Sequence, residues 1–491
     1  MAQRSRTLGA FAEVCGGRLE GADRAYSGIS TDTRTIEAGA LFIALRGPRF
    51  NGHEFLAAAA SAGAAGAVID EASALSGENG TAPNDSRTLS RDRSRRASLA
   101  RIIVPDTQAA LSRAASLWRA QFEIPVIGVA GSNGKTTVKE MTAAILAQAG
   151  ACLATRGNLN NHIGVPLTLL RLEAHQRFAV IEMGANRAGE VAGLVALARP
   201  TIGLITNAGA EHLEGFGSLE GVARAEGEMV EGLAPEGIAI INADDAFVPL
   251  WRSLTRARRI VTFGLAARAD FTARDVRADI AAGQFRTRFT LECVHGRTAI
   301  ELKLAGRHNI VNALGAAAAA SAAGASLEHV CAGLSSMRAV QGRLQLKRAR
   351  CGAWLIDDSY NANPSSMRAG IDVLGELEGP KWLVLGDMGE LGEFARASHA
   401  QIGAYARERG VERLYAMGEL AQLAVESFGA GAEWYPDAEA LARALDAALA
   451  REASVLIKGS RVNRLERVVA ALAAEAPGEA AAPLGRAGAG Q

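Results

Sequence analysis

Aromatic residues are scarce in this chain of 491 residues, only 5% of the total, which leaves few platforms for stacking the bases of a single strand. An excess of either charge is also missing. Lys and Arg number 53 against 52 Asp and Glu, for a net charge of +1, so no global basic field exists to hold a nucleic acid or an anionic membrane. Any anionic ligand must therefore be held by a local site. No apolar run approaches the ~18 residues of a membrane span, and the Ala-rich stretch at 314–323 is too short and reads as helix. The first residues, MAQRSRTLGAFAEVCGG, hold no apolar core long enough for a signal peptide. The five cysteines (Cys15, Cys152, Cys293, Cys331 and Cys351) are odd in number and never at metal-finger spacing, so they read as isolated thiols in a reducing compartment. These absences lead to the expectation of a cytoplasmic protein without membrane or nucleic-acid partners, and a monomer by default.

What is present is an ordinary globular balance, 49% hydrophobic and 21% charged, in a chain too long for one core. Two or three domains are expected. Residues 27–70 alternate short apolar runs (40–45 and 67–69) with turns around an Ala-rich helix at 55–65, the pattern of a small α/β domain. The pattern breaks at 71–101, where ENGTAPNDSRTLSRDRSRRAS is polar and Ser/Arg-rich, a composition expected of a flexible surface insertion. After a helix at 107–121, strand-like runs recur at 126–130, 179–183, 202–206, 238–242 and 260–263. Helical segments separate the first four, which predicts a parallel sheet covered on both faces. From 270 to 304 the alternation tightens to period two, which predicts antiparallel strands, and a helix at 309–323 closes this block. A third block alternates strands at 354–357, 382–385, 413–417 and 455–458 with helices, as in a Rossmann-like α/β domain. The expected division is 1–105, 106–338 and 339–476, with a disordered tail from 477.

The strongest local signal is IPVIGVAGSNGKTTVKE at 124–140. An apolar strand runs straight into Gly131, Ser132, Asn133, Gly134, Lys135, Thr136 and Thr137, and then into a helix. Small residues let backbone N–H groups curl around phosphate oxygens, and the helix N-terminus adds partial positive charge. Lys135 suits the β- and γ-phosphates, and the Thr136 hydroxyl suits Mg²⁺. The general phosphate-loop pattern asks for glycine where Val129 stands. That departure matches the tighter G-[ST]-N-G-K-T-T loop of the Mur ligase superfamily, and the chain resembles this superfamily over about residues 25–475, apart from the 71–101 stretch.

Four later segments carry the resemblance. FAVIEMGA (178–185) ends a strand on Glu182, which the resemblance makes a Mg²⁺ ligand. ITNAGAEHLEGFGS (205–218) holds His212, corresponding to the family's histidine near a second magnesium. GRHNIVNALGA (306–316) offers Asn309 and Asn312 to the nucleotide base; the alternative is that they cap a helix. QGRLQ (341–345) and IDDSYNANP (356–364) open the third block, where Arg343 is implied at the ATP phosphates and Asp358 at the ribose or the reacting groups. Lys458-Gly-Ser-Arg461 is expected to face the same cleft.

The string DSYNANP (358–364) discriminates most. It resembles the family member that joins D-alanyl-D-alanine to a UDP-N-acetylmuramoyl-tripeptide, and it makes Tyr360, Asn361 and Asn363 substrate contacts. GDMGELG (386–392) supports the same assignment. GNLNNHIGVP (157–166) adds Asn158 and Asn161 near the incoming peptide substrate. STDTR (30–34) and FIALRGPRFNGHEF (42–55) resemble the UDP-binding domain, with Ser30, Thr31 and Arg34 as contacts; Asn51 stands where relatives usually have Asp, and His53 is read as structural. Each of these Asn/Gly-rich strings alone is also compatible with a plain turn. Many relatives carry a carbamylated lysine where this chain has Glu226, so no carbamylation is predicted.

The resemblance thus implies three α/β domains: a small UDP-binding domain, a central phosphate-loop ATPase domain with a parallel sheet, and a C-terminal Rossmann-like domain. It implies an ATP- and Mg²⁺-dependent ligase acting through an acyl phosphate. Lys135, Glu182, His212 and Arg343 are its expected catalytic residues, and Thr136, Glu182 and His212 its metal ligands.

Overall fold

The computed structural model describes residues 6–48, 50–75 and 99–474. The core of the expected insertion and the expected tail lie outside the described residues. Three sheets follow one another along the chain. The first has β1 (Arg18–Glu20), β2 (Ile29–Ser30), β3 (Leu41–Ile43), β4 (Gly66–Asp70) and β5 (Ala100–Val104), in the order β1-β5-β4-β3-β2. Only β1 runs antiparallel to its neighbour. β5 falls partly within the stretch read as insertion: its apolar part, Ile102–Val104, is too short to announce a strand by itself, and pairing with β4 completes it. The helix expected at 55–65 is a 3₁₀ turn (Gly52–Phe55) followed by a helix at Leu56–Ser61. Gly63, at φ +85°, turns the chain out of it.

The second sheet begins with β6 (Val126–Ala130), β7 (Cys152–Ala154), β8 (Phe178–Glu182), β9 (Ile202–Ile205), β10 (Ile238–Asn242) and β11 (Arg259–Phe263). These six are parallel, in the order β11-β10-β9-β6-β8-β7. β6 and β8 are buried along their whole length, as their unbroken apolar sequence requires of strands covered on both faces. Gly128 in β6 lets the helix Leu219–Glu231 approach, because a Cβ there would meet Met229 Sδ at 2.7 Å. β12 (Phe271–Ala281), β13 (Gln284–Cys293) and β14 (Gly296–Leu302) follow, and β13 and β14 pair antiparallel as period-two alternation predicts. The helix Arg307–Ala322 comes next.

The third sheet contains β15 (Gln345–Arg348), β16 (Trp354–Asp358), β17 (Lys381–Gly386), β18 (Arg413–Met417), β19 (Ala432–Tyr435) and β20 (Ser454–Lys458), in the order β15-β16-β20-β17-β18-β19. All neighbours but β15 and β16 are parallel. One face packs on the helices Pro364–Gly375, Ala395–Glu408 and Ala421–Phe428 through Ile371, Leu374, Ile402 and Phe428. The other packs on Ala438–Ala448 and Glu466–Leu472 through Leu441, Leu445 and Val469. Burying each such apolar side chain stabilises by about 1.5–3 kcal/mol, and helices on both faces make this a doubly wound layer.

The chain divides into two compact units. The first comprises Met1–Asn207, Ala223–Phe271 and Gly315–Gly333; the second Ala208–Val222, Thr272–Leu314 and Leu334–Gln491.

Candidate functional site

In the first unit, β6 ends at Ala130 and the phosphate loop begins at once. Gly131 has φ +120°, and a Cβ there would lie 2.1 Å from Thr206 Oγ1, so no other residue fits. Gly134, at φ +85°, is the N-cap of the helix Lys135–Ala149. The loop is fastened from outside. Asn207, just past β9, accepts from Ser132 N–H on its carbonyl (2.9 Å) and from Asn133 N–H on Oδ1 (3.0 Å), and its Nδ2 donates to Asn133 O (2.9 Å). Glu226, buried on the helix Leu219–Glu231, accepts from Gly131 N–H at 2.6 Å. Lys135 Nζ folds back to donate to Gly131 O and, at 2.9 Å, to Ser132 O.

Beside this loop stands Glu182, the last residue of β8 and only 2% exposed. Its Oε1 accepts from Thr136 Oγ1 (3.1 Å) and from Asn160 Nδ2 (2.9 Å), and its own N–H donates to Thr155 Oγ1 (3.0 Å). Oε2 is buried with no hydrogen-bond partner among the described residues. A buried carboxylate oxygen without a donor costs several kcal/mol, about the scale of a lost charged hydrogen bond or more, so the position calls for a cation. A hydroxyl and a carboxylate side by side are the oxygen donors that Mg²⁺ prefers, so the residues present fit this ion.

The other expected residues of this unit are more dispersed. Ser30 closes a turn with Asp32, accepting from its N–H and donating to its carbonyl, both at 3.1 Å. Thr31 is half-buried nearby. Arg34 forks onto Asp32 at the surface, and this contact lowers the Asp32 pKa. Asn158 is exposed. Asn161 Oδ1 accepts from Ile163 and Gly164 N–H, opening the helix Gly164–Leu169. His53 is fully buried, with Nε2 accepting from Asp70 N–H (3.0 Å) and Nδ1 against Asn51 Oδ1 (2.8 Å), the structural role expected of it.

In the second unit the DSYNANP, KGSR and GDMGELG strings occupy the carboxyl ends of β16, β20 and β17, three adjacent strands. That edge is where ligands bind in doubly wound sheets. Asp358 is buried in an ion pair with Lys458 (2.7 Å), accepts from Leu344 N–H (3.2 Å), and leaves Lys458 to donate to Asn361 O (2.8 Å). Tyr360 N–H donates to Gly342 O at 3.1 Å, which seats the turn carrying Arg343 against the DSYN loop. The Arg343 guanidinium lies 4.5 Å from the Tyr360 ring centroid. Asn361 is exposed. Asn363 is the N-cap of the helix Pro364–Gly375, in a capping box with Ser366, and its Nδ2 points at Glu211 (3.5 Å).

Asn309 and Asn312 sit in the first turns of their helix, where Asn312 Nδ2 donates to Asn309 Oδ1 (3.1 Å) and Asn309 Nδ2 to Ala305 O (2.7 Å). His212 belongs to this unit too. Its Nδ1 pairs with Glu390 of the GDMGELG loop at 2.5 Å, and this contact lowers the Glu390 pKa. Behind that loop His399, fully buried and with its pKa lowered by burial, accepts from Met388 N–H at 2.9 Å. Thr136 and Glu182 are thus brought together, while His212 lies in the other unit.

Sequence reasoning missed Asn160, Thr155 and Asn207, which hold Glu182 and the loop. It also missed the Lys458–Asp358 pair. Each of these contacts joins residues that sequence spacing alone does not pair.

Three family models match the chain: Mur ligase family, catalytic domain, over residues 25–119; Mur ligase middle domain, over 129–320; and Mur ligase, glutamate ligase domain, over 342–461. The chain is 43% identical over 471 residues to the UDP-N-acetylmuramoyl-tripeptide--D-alanyl-D-alanine ligase of Escherichia coli (strain K12), covering 95% of this chain and 98% of that protein. Among solved structures, MurF from Acinetobacter baumannii matches with a TM-score of 0.83 at 32% identity, over 96% of this chain and 99% of that one. A MurF ligase from Thermotoga maritima, solved in complex with ADP, matches with a TM-score of 0.74 at 25% identity, over 90% and 96%.

Proposed function

This chain belongs to the Mur ligase family, and we propose that it couples the two halves of its reaction through an acyl phosphate. It is an ATP-dependent ligase of peptidoglycan precursor synthesis that joins D-alanyl-D-alanine to a UDP-N-acetylmuramoyl-tripeptide and releases ADP and phosphate. The observation that carries the proposed chemistry is the pairing of a glycine-framed phosphate loop with a buried, half-satisfied carboxylate on the next strand.

ATP binds with its phosphates on the N–H groups of 131–137, and Lys135 swings from its backbone carbonyls to the terminal phosphates. Thr136 and Glu182 would hold Mg²⁺, which would neutralise charge on the phosphoryl oxygens. The tripeptide's terminal carboxylate oxygen forms a bond to the γ-phosphorus, the bond to the bridging oxygen breaks, and ADP leaves. Phosphoryl transfer of this kind asks for position and charge neutralisation rather than a protein nucleophile. The amine of D-alanyl-D-alanine then attacks the acyl carbon. It loses a proton, and the carbon–oxygen bond to phosphate breaks.

By resemblance, His212 and Arg343 are proposed to serve the metal and the phosphoryl group. Asn309, Asn312 and Asp358 are proposed to serve the nucleotide. Ser30, Thr31, Arg34, Asn158, Asn161, Tyr360, Asn361 and Asn363 are proposed to serve the two substrates. The three sheets are proposed as three domains divided near residues 105 and 338. No helix among the described residues is long and apolar enough to cross a membrane.

The test is coupled ADP release with one component omitted at a time. Steady release is expected only when ATP, Mg²⁺, the UDP-sugar tripeptide and D-alanyl-D-alanine are all present. Omitting the dipeptide should leave at most one turnover per enzyme. Steady ADP release indifferent to both peptides would refute the acyl-phosphate reading.

A further inference from the structure

Tyr360 carries a second arginine. The guanidinium carbon of Arg461 lies 5.2 Å from the ring centroid on which Arg343 also stacks. Arg461 opens the 3₁₀ turn Arg461–Asn463 that follows β20, and the backbone around it is fixed. Asn463 Nδ2 donates to Asp387 O (2.8 Å), Ser460 O (3.1 Å) and Ser460 Oγ (2.9 Å), while Ser460 N–H donates to Asp387 O (2.9 Å). With the donation from Lys458 Nζ to Asn361 O, these bonds tie the three motif loops to one another at the carboxyl edge of the sheet.

Arg461 is exposed and makes no ion pair among the described residues. Its neighbour Lys458, by contrast, is spent on Asp358. A guanidinium held within cation–π distance of a ring still has N–H donors to offer, and these match a planar carboxylate through two parallel hydrogen bonds. Stacking also reduces the rotamer freedom that a long side chain would otherwise lose on binding, so the donors are partly pre-organised.

We infer that Arg461, stacked on Tyr360, holds the terminal carboxylate of the incoming D-alanyl-D-alanine. This inference rests on the ligase reading above. The dipeptide carries one group of fixed negative charge, at the end opposite its reacting amine. A cation gripping that end leaves the amine free to point at the acyl carbon. A ligand gripped this way is recognised by having an unblocked carboxyl terminus. The glycine loop and Lys135 are the phosphate-binding elements of the first unit, and Arg343 is the arginine that the resemblance assigns to the phosphoryl group, which leaves Arg461 for the other substrate.

The experiment is steady-state ADP release by the full-length protein with D-alanyl-D-alanine and with its C-terminal amide. The wild type should use the amide with a KM about 10- to 100-fold higher, the loss expected when a charge-assisted pair is removed. Arg461→Gln should raise KM for the free dipeptide by a similar factor and should no longer distinguish acid from amide. Its KM values for ATP and the UDP-sugar tripeptide should stay within about twofold. Arg461→Lys should recover part of the discrimination, because the charge returns without the fork.

Arg461→Gln discriminating acid from amide as well as the wild type does would overturn the inference. So would a rise in KM for ATP alone, which would make Arg461 a phosphate contact. If wild-type ADP release ignored the dipeptide altogether, the ligase reading would fail instead, and that outcome is visible before any variant is made.

Discussion

The two units offer hydrogen-bond donors to an anion in opposite ways. The first uses backbone. Gly131 places its N–H where a side chain could not pass, Gly134 turns the backbone at a positive φ, and Asn207 and Glu226 hold the loop in that shape. The second uses side chains. Arg343 and Arg461 lie over one tyrosine, and Asp358 and Lys458 neutralise each other. A backbone site is rigid and suits a ligand common to many enzymes. A side-chain site can change its specificity with one substitution, which suits the reading of the amine donor proposed for Arg461. On that proposal, the difference teaches that conformation governs the shared half of the reaction and side-chain chemistry the particular half.

The largest test of the contrast is Lys135→Ala. The loop's shape comes from its glycines and from Asn207, so the protein should fold with an unchanged melting temperature. ADP release and ligation should fall together, on the order of 10²–10³-fold or more, as for removal of a pre-organised charge-stabilising donor. Full activity in this variant would dissolve the distinction between the units, because the phosphate loop would then not be the nucleotide site.

Glu182→Gln sharpens it. The wild-type carboxylate is buried with one oxygen lacking a donor, a charge that the metal-free fold must tolerate. The amide keeps the shape and removes the charge, so without Mg²⁺ the variant should melt at the wild-type temperature or a few degrees above it. Its activity should fall by about 10²-fold and recover in part at high Mg²⁺. A variant that melts much lower would show that Glu182 is held by its protein partners rather than reserved for a cation.

Glu226 asks whether a side chain can be essential to a backbone site. Its carboxylate accepts from Gly131 N–H at 2.6 Å. Glu226→Gln retains an acceptor and should leave KM for ATP within about threefold, whereas Glu226→Ala frees the first N–H of the loop and should raise it about tenfold. Equal losses in both variants would mean that charge, not the hydrogen bond, is what this position supplies.

The contrast also explains what could be read from the chain in advance. The phosphate loop was legible because its requirements are local: an apolar strand, glycines where φ must be positive, and a helix immediately after. β6, β10 and β18 have the bounds that the sequence predicts for them. β1, β2 and β7, two or three residues long, carry no period to detect and exist because a neighbouring strand pairs with them. The Arg343–Tyr360–Arg461 cluster was only partly legible. Arg343 and Tyr360 came by resemblance, but nothing in the spacing of residues 343, 360 and 461 says that they meet; the strand order, with β20 inserted beside β16, brings the last of them in.

The smallest effect is expected at Asn363, and it separates the two kinds of asparagine in DSYNANP. Asn361 is exposed at the loop, whereas Asn363 Oδ1 accepts from Ser366 N–H at 2.8 Å and its own N–H donates to Ser366 Oγ at 3.1 Å. A capping box of this kind is worth about 1 kcal/mol. Asn363→Ala should therefore lower the melting temperature by a few degrees, and Asn363→Ser should restore most of it, since serine caps as well. If Asn363 is only a cap, KM for both peptide substrates should stay within about twofold in the two variants. If it is also a ligand, as the resemblance implies, the serine variant should keep its stability and lose affinity. The serine variant therefore decides whether this residue belongs to the fold or to the chemistry, because serine replaces the cap without replacing the amide.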